Sequence, residues 1–203
     1  MFIVFEGGAG GGKSTQINLL ATALKERGYQ VKAVSVLDDT EVGKWVRQIT
    51  GSVPHGTLGH MTEALLFLSA IVRAVESIIR PALANGSLVG LVDRYVFSTI
   101  AYQGYGGGID ITFLTAMAMA AVGQLEPDLV VYLDLSAQEG LSRHSDAHAE
   151  QLAFRERVRE GYRRMAKNDQ RWLVIDARED IEKIHQIILR EVLKRLALSQ
   201  PTG

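Results

Sequence analysis

The stretch "EGGAGGGKST", Glu6–Thr15, follows directly on the apolar run "FIVF", and half of its ten residues are glycine. It contains the pattern Gly-x-x-x-x-Gly-Lys-Ser, which runs from Gly7 to Ser14. The apolar run predicts a strand that is buried on both faces. From Ser14 onward the apolar residues recur with a helical period, and Gly28 is placed to end that helix. The stretch therefore predicts the loop between the first strand and the first helix of an α/β fold.

A loop of this form is suited to hold phosphate groups. Glycines allow backbone N–H groups to turn inward around phosphate oxygens, and the N-terminus of the following helix adds the positive end of its dipole. Lys13 would reach the β- and γ-phosphates of a bound nucleotide, and the Ser14 hydroxyl would bind Mg²⁺. We therefore predict a nucleoside triphosphate with Mg²⁺, and the loop by itself fits a kinase, a GTPase or a motor ATPase. The predicted cofactor-binding residues are Gly7, Gly8, Ala9, Gly10, Gly11, Gly12, Lys13, Ser14 and Thr15.

The rest of the chain continues the alternation of strands and helices. Apolar or alternating runs predict four further strands, at residues 29–36, 88–92, 129–135 and 172–176. Strands that alternate with helices imply crossover connections and a parallel sheet. We predict a single α/β domain over residues 1–198, followed by a frayed tail at 199–203.

The helices between these strands are predicted from apolar periodicity. Residues 40–50 form a short helix, and a long helix begins at about Met61, with a kink near Pro81 and an end at Asn85-Gly86. The segment "GYGGG", residues 104–108, is predicted to be a flexible loop. The last helix carries four apolar residues on one face, namely Ile181, Ile184, Ile188 and Val192.

Composition excludes several classes of function. The formal net charge is −1, whereas non-specific nucleic-acid binders have a strongly basic balance. The chain has no cysteine, which excludes disulfides and thiolate metal sites and agrees with a cytoplasmic location. Its apolar stretches are interrupted well short of a membrane span. We predict neither a nucleic-acid partner nor a membrane partner.

Asp93 and Arg94 are the second candidate pair. They follow the third predicted strand, in "LVDRYVFSTIAYQGYGGGID", and therefore lie at its carboxyl end, beside the phosphate loop. Arg94 is well placed to bind a second phosphate. An Asp-Arg pair that only caps a helix is the structural alternative.

Ordered segments over nearly the whole chain resemble the thymidylate kinase family. They are "FIVFEG", "GKSTQ", "LLF" (65–67), "IRPAL" (79–83), "DRYVFSTIAYQG", "PDLVVYLDL", "GLSR" (140–143) and "FRERVREGY". The resemblance implies a three-layer fold with a five-stranded parallel sheet, and transfer of a phosphoryl group from Mg·ATP to dTMP. It also implies a homodimer packed through long helices.

The same resemblance assigns roles to individual residues. Lys13, Asp93, Arg94 and Arg143 are expected to be catalytic, and Ser14 and Asp93 to hold the metal. Arg94 would grip the acceptor phosphate, Phe67 would stack on the base, and Tyr102 would lie beside the deoxyribose. Ser98 and Gln103 would complete the acceptor pocket. Phe67 and Tyr102 could instead be packing residues, and Arg143 and Arg157 surface charges.

Several positions depart from the family pattern. Ala9 stands where members carry an acidic residue, and Gly10 where some carry an arginine. The lid, about residues 143–154, contains no arginine other than Arg143. Arg143 and Arg155, which directly follows the lid, therefore remain as sources of a transition-state arginine. "VLDDT" (36–40) replaces an Arg-Glu-Pro segment, and Asp38 and Asp39 would repel a monophosphate if they pointed inward.

The base-binding arginine of the family falls at Ile71. The nearest arginine, Arg73, is more than half a helical turn away and should point elsewhere. These departures leave two alternatives beside a thymidylate kinase. One is a related kinase with another nucleotide or a small phosphorylated acceptor, and the other is a non-catalytic ATP-binding protein.

Overall fold

A parallel β-sheet forms the centre of the protein. The computed structural model describes residues 1–53, 56–84, 86, 88–142 and 149–198. In these residues five strands pair in the order β2-β3-β1-β4-β5, and every pairing is parallel. The strands are β1 (Phe2–Gly7), β2 (Gln30–Ser35), β3 (Leu88–Asp93), β4 (Leu129–Asp134) and β5 (Trp172–Asp176). The predicted α/β class and five-stranded sheet are thereby confirmed.

Helices connect the strands and cover both faces of the sheet. In chain order they are α1 (Lys13–Glu26), α2 (Glu41–Ser52), α3 (His60–Ala74), α4 (Arg80–Ala84), α5 (Val96–Thr99), α6 (Ile111–Ala121), α7 (Ala137–Ser142), α8 (Ala149–Ala166) and α9 (Ile181–Leu198). Helices α1 and α9 pack on one face, where the core includes Phe5, Leu24 and Ile188. Helices α3, α6 and α8 contribute to the cores on the other face. The result is the expected arrangement of three layers.

Strand β1 fixes where the functional loops meet. All six of its residues are buried, and it pairs with β3 on one side and β4 on the other. Phe5 lies opposite Asp93, and Gly7 lies opposite Leu133. The chain therefore leaves the sheet at Gly7 next to the point where it leaves β3, and this is the position at which open α/β sheets bind ligands.

Two turns of π-helix interrupt the helical segments. The first, Val75–Ile79, precedes α4, so the kink predicted near Pro81 corresponds to a π-helical turn just before this proline. Proline lacks the N–H group that a regular helical turn requires. The second, Ile100–Gly106, includes Gly104 and Gly106. The prediction of a flexible loop was therefore wrong for residues 104–106, whereas Gly107 and Gly108 lie beyond the helical turn. A Cβ at Gly106 would lie 2.8 Å from Val158, so the glycine is required for close packing against α8.

Two further expectations concern the C-terminal half. Ile184, Ile188 and Val192 are buried as predicted, but Ile181, the first residue of α9, is 60 % exposed. Residues 149–154 of the predicted lid form the beginning of α8. Residues 143–148, and with them Arg143, lie outside the described residues, as do Asn85 and the tail.

None of the helices in the described ranges has the length and apolar content that a membrane span requires.

Gly43 sets the path of the loop between β2 and α2. A Cβ at Gly43 would overlap the carbonyl oxygen of Val36 and lie 2.9 Å from Cα of Leu37, whereas a Cβ at Gly51 in the same helix meets nothing within 4 Å. The backbone amide of Gly43 also donates to Thr40 Oγ1, which caps α2. Close packing at Gly43 thus holds residues 36–40 against the helix.

We predict opposite effects for alanine at these two glycines. Gly51→Ala should stabilise the protein by about 0.5–1 kcal/mol, since alanine is the better helix former. Gly43→Ala should destabilise it by about 2 kcal/mol or more, because backbone atoms must move to admit the methyl group. Urea unfolding of both variants measures the difference. Equal effects of the two substitutions would contradict the packing described for Gly43.

Candidate active site

The glycine loop between β1 and α1 has the backbone that its composition predicts. Gly7, Gly10 and Gly12 have φ values of 141°, 75° and 85°, which side chains other than glycine rarely adopt. A Cβ at Gly7 would also lie 2.6 Å from the carbonyl oxygen of Leu133. Helix α1 begins at Lys13, and no side chain caps its N-terminus. The first amides of the helix are therefore directed toward the loop, where an anion could bind.

Lys13 is buried in this loop. Its Nζ donates hydrogen bonds to the carbonyl oxygens of Gly7 (3.1 Å) and Gly8 (3.0 Å), and only 8 % of the residue is exposed. Burial lowers the pKa of Lys13 to about 7, and the positive charge of Arg94 acts in the same direction, while Asp93 and Glu6 oppose it. A bound polyphosphate would stabilise the charged form of this lysine.

Ser14 and Asp93 form a pair with the properties of a Mg²⁺ site. Ser14 Oγ donates to Asp93 Oδ2 over 3.1 Å, so the helix N-terminus and the end of β3 are in contact. The other carboxylate oxygen, Asp93 Oδ1, is buried and has no hydrogen-bond partner among the described residues. Oxygen donors of this type are those that Mg²⁺ prefers, so both predicted metal residues fit the ion.

Arg94 has an unusual backbone and a well-defined side chain. Its φ is 71°, an uncommon value for a residue other than glycine. Its Nη1 donates to Ser98 Oγ over 3.1 Å, and its guanidinium carbon lies 5.5 Å from the centre of the Tyr102 ring. Burial alone would lower the pKa of Arg94, but Tyr102, Tyr162 and Glu6 outweigh it, so the pKa is raised.

The predicted acceptor residues surround one cavity. It has a volume of about 680 Å³ and extends from Ser14 and Asp93 toward α2 and α3. The cavity brings together all five residues that the sequence suggested, namely Phe67, Arg94, Ser98, Tyr102 and Gln103. The volume is in the range of small-molecule sites.

Sequence patterns alone did not identify three residues of the site. Glu6, Arg47 and Thr99 had no assigned role, although a glutamate at the end of an apolar strand was a signal for Glu6. Arg47 of α2 and Thr99 line the cavity. Thr99 Oγ1 is buried without a hydrogen-bond partner in the described parts of the chain. Because a buried hydroxyl is normally bonded, this atom is suited to meet a polar ligand group.

Glu6 is completely buried beside Arg94. Its Oε1 accepts from the amide of Tyr95 (2.9 Å), and its Oε2 accepts from Ser98 Oγ (2.6 Å) and Tyr162 Oη (2.9 Å). Burial raises the pKa of Glu6, against the effects of Arg94 and of these three hydrogen bonds. The carboxyl group thus connects β1 to the segment after β3 and to α8.

Asp38 and Asp39, which replace part of the family's Arg-Glu-Pro segment, are held by local hydrogen bonds. Asp38 lines the cavity, and its carboxylate is paired with Arg47 over 2.8 Å and accepts from Ser35 Oγ. Asp39 accepts from the Ser35 amide. These contacts reduce the repulsion that the two aspartates would cause.

Ile71 is buried against the same cavity, and Arg73 is exposed on the far side of α3, as predicted. Since an isoleucine cannot donate a hydrogen bond, this wall of the cavity is apolar at Ile71.

Helix α8 contributes further arginines near the loop. Arg155 lines a cavity of about 30 Å³ together with Gly8 and Ala9. Arg157 donates two hydrogen bonds to the carbonyl oxygen of Gly106, so it is not a free surface charge. Arg159 is bound to Asp134. Arg155 and Arg159 therefore both line a cavity at the glycine loop, and Arg159 is held there by its bond to Asp134.

The fold and this loop define the class of the protein: it is an α/β protein of the P-loop type, with a phosphate-binding pattern between its first strand and first helix. The family model described as thymidylate kinase matches residues 5–188. The chain belongs to the thymidylate kinase family.

Individual relatives agree with this membership. The thymidylate kinase of Roseiflexus castenholzii is 39 % identical over 217 residues, which cover 97 % of this chain and 94 % of the relative. That of Thermomicrobium roseum is 42 % identical over 207 residues and 96 % of both chains. That of Desulfovibrio desulfuricans is 38 % identical over 198 residues and 91 % of both chains. Similarity therefore extends over nearly the full length of each protein.

The lowered pKa of Lys13 predicts a pH dependence of stability. Between pH 7 and 10.5 the unfolded lysine holds a proton that the folded one has lost, so the free energy of unfolding should rise with pH in that window. Lys13→Met removes this contribution. The stability difference, wild type minus Lys13→Met, should therefore increase with pH, at a slope approaching about 1.4 kcal/mol per pH unit.

Urea unfolding at several pH values between about 7 and 9.5 checks this slope. Lys32→Met, at an exposed position of β2, is the control for the loss of a surface lysine. A pH-independent difference for Lys13→Met would show that Lys13 is not desolvated in the unliganded protein.

Proposed function

We propose that the protein transfers the γ-phosphoryl group of Mg·ATP to dTMP, giving dTDP and ADP. The observation that carries this proposal is the continuity of the site: the acceptor cavity with Arg94 opens onto the Ser14–Asp93 pair at the end of the glycine loop. Membership of the thymidylate kinase family and the names of the relatives support it.

The donor side is formed by residues 7–15. Backbone amides of the loop and of the first turn of α1 hold the ATP phosphates, and Lys13 exchanges its bonds to Gly7 and Gly8 for bonds to phosphate oxygens. Ser14 and Asp93 hold Mg²⁺ or its waters. The ion neutralises charge on the phosphates when it is bound.

The acceptor side is formed by the large cavity. Arg94 binds the phosphate of dTMP, Tyr102 lies beside the deoxyribose, and Phe67 stacks on the base. Ser98, Gln103 and the unpartnered hydroxyl of Thr99 supply polar contacts around them. Arg47, once its pairing with Asp38 is loosened, adds a second positive charge near the acceptor phosphate.

The chemical step requires position and charge more than proton transfer. An anionic oxygen of the dTMP phosphate forms the new bond to the γ-phosphorus, and the bond to the β–γ bridging oxygen breaks, so ADP leaves. No general base is needed, because the attacking oxygen carries no proton. Lys13 and Arg94 stabilise the charge, and we assign the remaining arginine contribution to Arg143 or, from α8, to Arg155.

We also propose a homodimer that acts in the cytoplasm. Helices α2 and α3 expose large apolar side chains, among them Trp45 at 58 % and Leu65 at 53 %, and such residues on long helices suit the pairing implied by the family resemblance. The absence of cysteine agrees with the cytoplasm. Sedimentation equilibrium of the wild type and of Trp45→Glu tests the dimer, which the substitution should weaken.

We predict dTMP-dependent release of ADP from Mg·ATP. It should exceed release without acceptor or with purine monophosphates. Lys13→Ala should lower turnover by at least about a thousandfold with the fold retained, because the γ-phosphate loses its main cation. Coupled assays over a panel of nucleoside monophosphates measure both effects. Absence of dTMP-dependent turnover in the wild type, or normal turnover in Lys13→Ala, would refute the proposal.

Ile71 predicts a specific weakness in base selection. Ile71→Arg should raise the ratio of kcat/KM for dTMP to that for dCMP by about tenfold, because an arginine can donate to the thymine 4-carbonyl but not to the cytosine amino group. Arg73→Ile, on the exposed side of α3, is the matched control and should leave the ratio unchanged. An unaltered ratio in Ile71→Arg would place the base elsewhere.

A further inference from the structure

Glu6 is a charged residue in a position where an apolar one would be expected. It lies in β1, whose residues are all buried, and it is 0 % exposed. Burial of a carboxyl group is costly unless hydrogen bonds compensate for the lost water. Three donors compensate here, the amide of Tyr95 and the hydroxyls of Ser98 and Tyr162.

The three donors of Glu6 belong to two parts of the site. Tyr95 and Ser98 belong to the segment that follows β3 and carries Arg94, whereas Tyr162 belongs to α8. The Ser98 hydroxyl accepts from Arg94 Nη1 and donates to Glu6. Ser98 Oγ also lies 2.9 Å from Tyr162 Oη. A continuous network therefore extends from the guanidinium of Arg94 through Ser98 to Glu6 and α8.

Glu6 also stabilises the backbone at Arg94. The φ of 71° at Arg94 costs about 1 kcal/mol or more for a residue with a side chain. Two hydrogen bonds fix this conformation: the Arg94 amide donates to the carbonyl oxygen of Phe5, and the next amide, of Tyr95, donates to Glu6 Oε1. Both acceptors are in β1, next to the glycine loop.

Glu6 does not line the acceptor cavity, so any effect it has on the acceptor must pass through other residues. We propose that Glu6 is the positioning residue of Arg94. Its carboxylate holds the backbone of Arg94 and, through Ser98, the Arg94 guanidinium in the orientation that binds the acceptor phosphate. Through Tyr162 the same carboxylate connects Arg94 to α8. The proposal rests on the proposed function, in which Arg94 binds that phosphate.

The test compares three variants. Glu6→Gln keeps the size of the side chain but removes its charge and one acceptor oxygen. Tyr162→Phe keeps the carboxylate and removes the two contacts of the α8 hydroxyl, with Glu6 Oε2 and with Ser98 Oγ. Asp134→Asn is the matched control, because Asp134 is also a carboxylate largely buried under α8, where it binds Arg159 and Arg163, without a bond to Arg94. KM for dTMP and for ATP, the calorimetric Kd of dTMP, and Tm are measured for each.

Glu6→Gln should raise KM and Kd for dTMP by about tenfold or more, with KM for ATP changed by less than about twofold. Tyr162→Phe should show the same selectivity with a smaller rise. Asp134→Asn should lower Tm and leave both dTMP constants unchanged. A lowered Tm with unchanged dTMP constants in Glu6→Gln, or an equal rise in Asp134→Asn, would overturn the proposal. If Glu6→Gln does not fold, Tyr162→Phe decides by the same criteria.

Failure of the proposed function would be distinct from failure of this inference. Lack of turnover of dTMP by the wild type would contradict the function alone. Binding of dTMP would then be compared between Lys13→Ala and the double variant that also carries Glu6→Gln. Inorganic phosphate is the probe if dTMP does not bind. In this background the glycine loop no longer competes for the probe. Loss of that binding on addition of Glu6→Gln supports the positioning role, and retention contradicts it.

Discussion

The pairing of β1 between β3 and β4 is the constraint on which the site depends. Because Phe5 lies opposite Asp93, the glycine loop and the Asp93-Arg94 pair leave the sheet side by side. Ser14 and Asp93 then come within hydrogen-bond distance although they are 79 residues apart in sequence. The parallel register thus assembles residues that could hold a donor phosphate, a metal ion and an acceptor phosphate at one edge of the sheet.

The buried positive charges at this edge of the sheet favour binding of anionic ligands and destabilise the protein when no ligand is bound. Burial lowers the pKa of Lys13 to about 7, and the nearby positive charge of Arg94 lowers it in the same direction. Glu6 and Asp93 offset part of this repulsion. Phosphate groups would offset the rest, so the site is arranged in advance for the charge that phosphoryl transfer brings to it.

The sequence predicted the parts of the protein that depend on local pattern. The strands, the end of α1 at Gly28 and the position of Asp93 follow from apolar runs and glycines whose spacing is short. It did not predict contacts between distant segments. Gly104 and Gly106 suggested a loop because the close approach of α6 to Gly104 and of α8 to Gly106 was not visible in the sequence. Arg47 and Thr99 had no signal, since only packing of α2 and α5 around the cavity gives them a role. The metal and acceptor roles themselves remain predictions.

The central claim is that the two sides of the site bind two substrates at once, with their phosphates in one continuous row. An analogue in which adenosine and thymidine are joined by five phosphates tests this claim directly by calorimetry with Mg²⁺. The account predicts binding at least about 100-fold tighter than that of either ATP or dTMP, because one ligand then gains both sets of contacts. An affinity no greater than that of ATP alone would show that the acceptor cavity and the glycine loop do not form a single site.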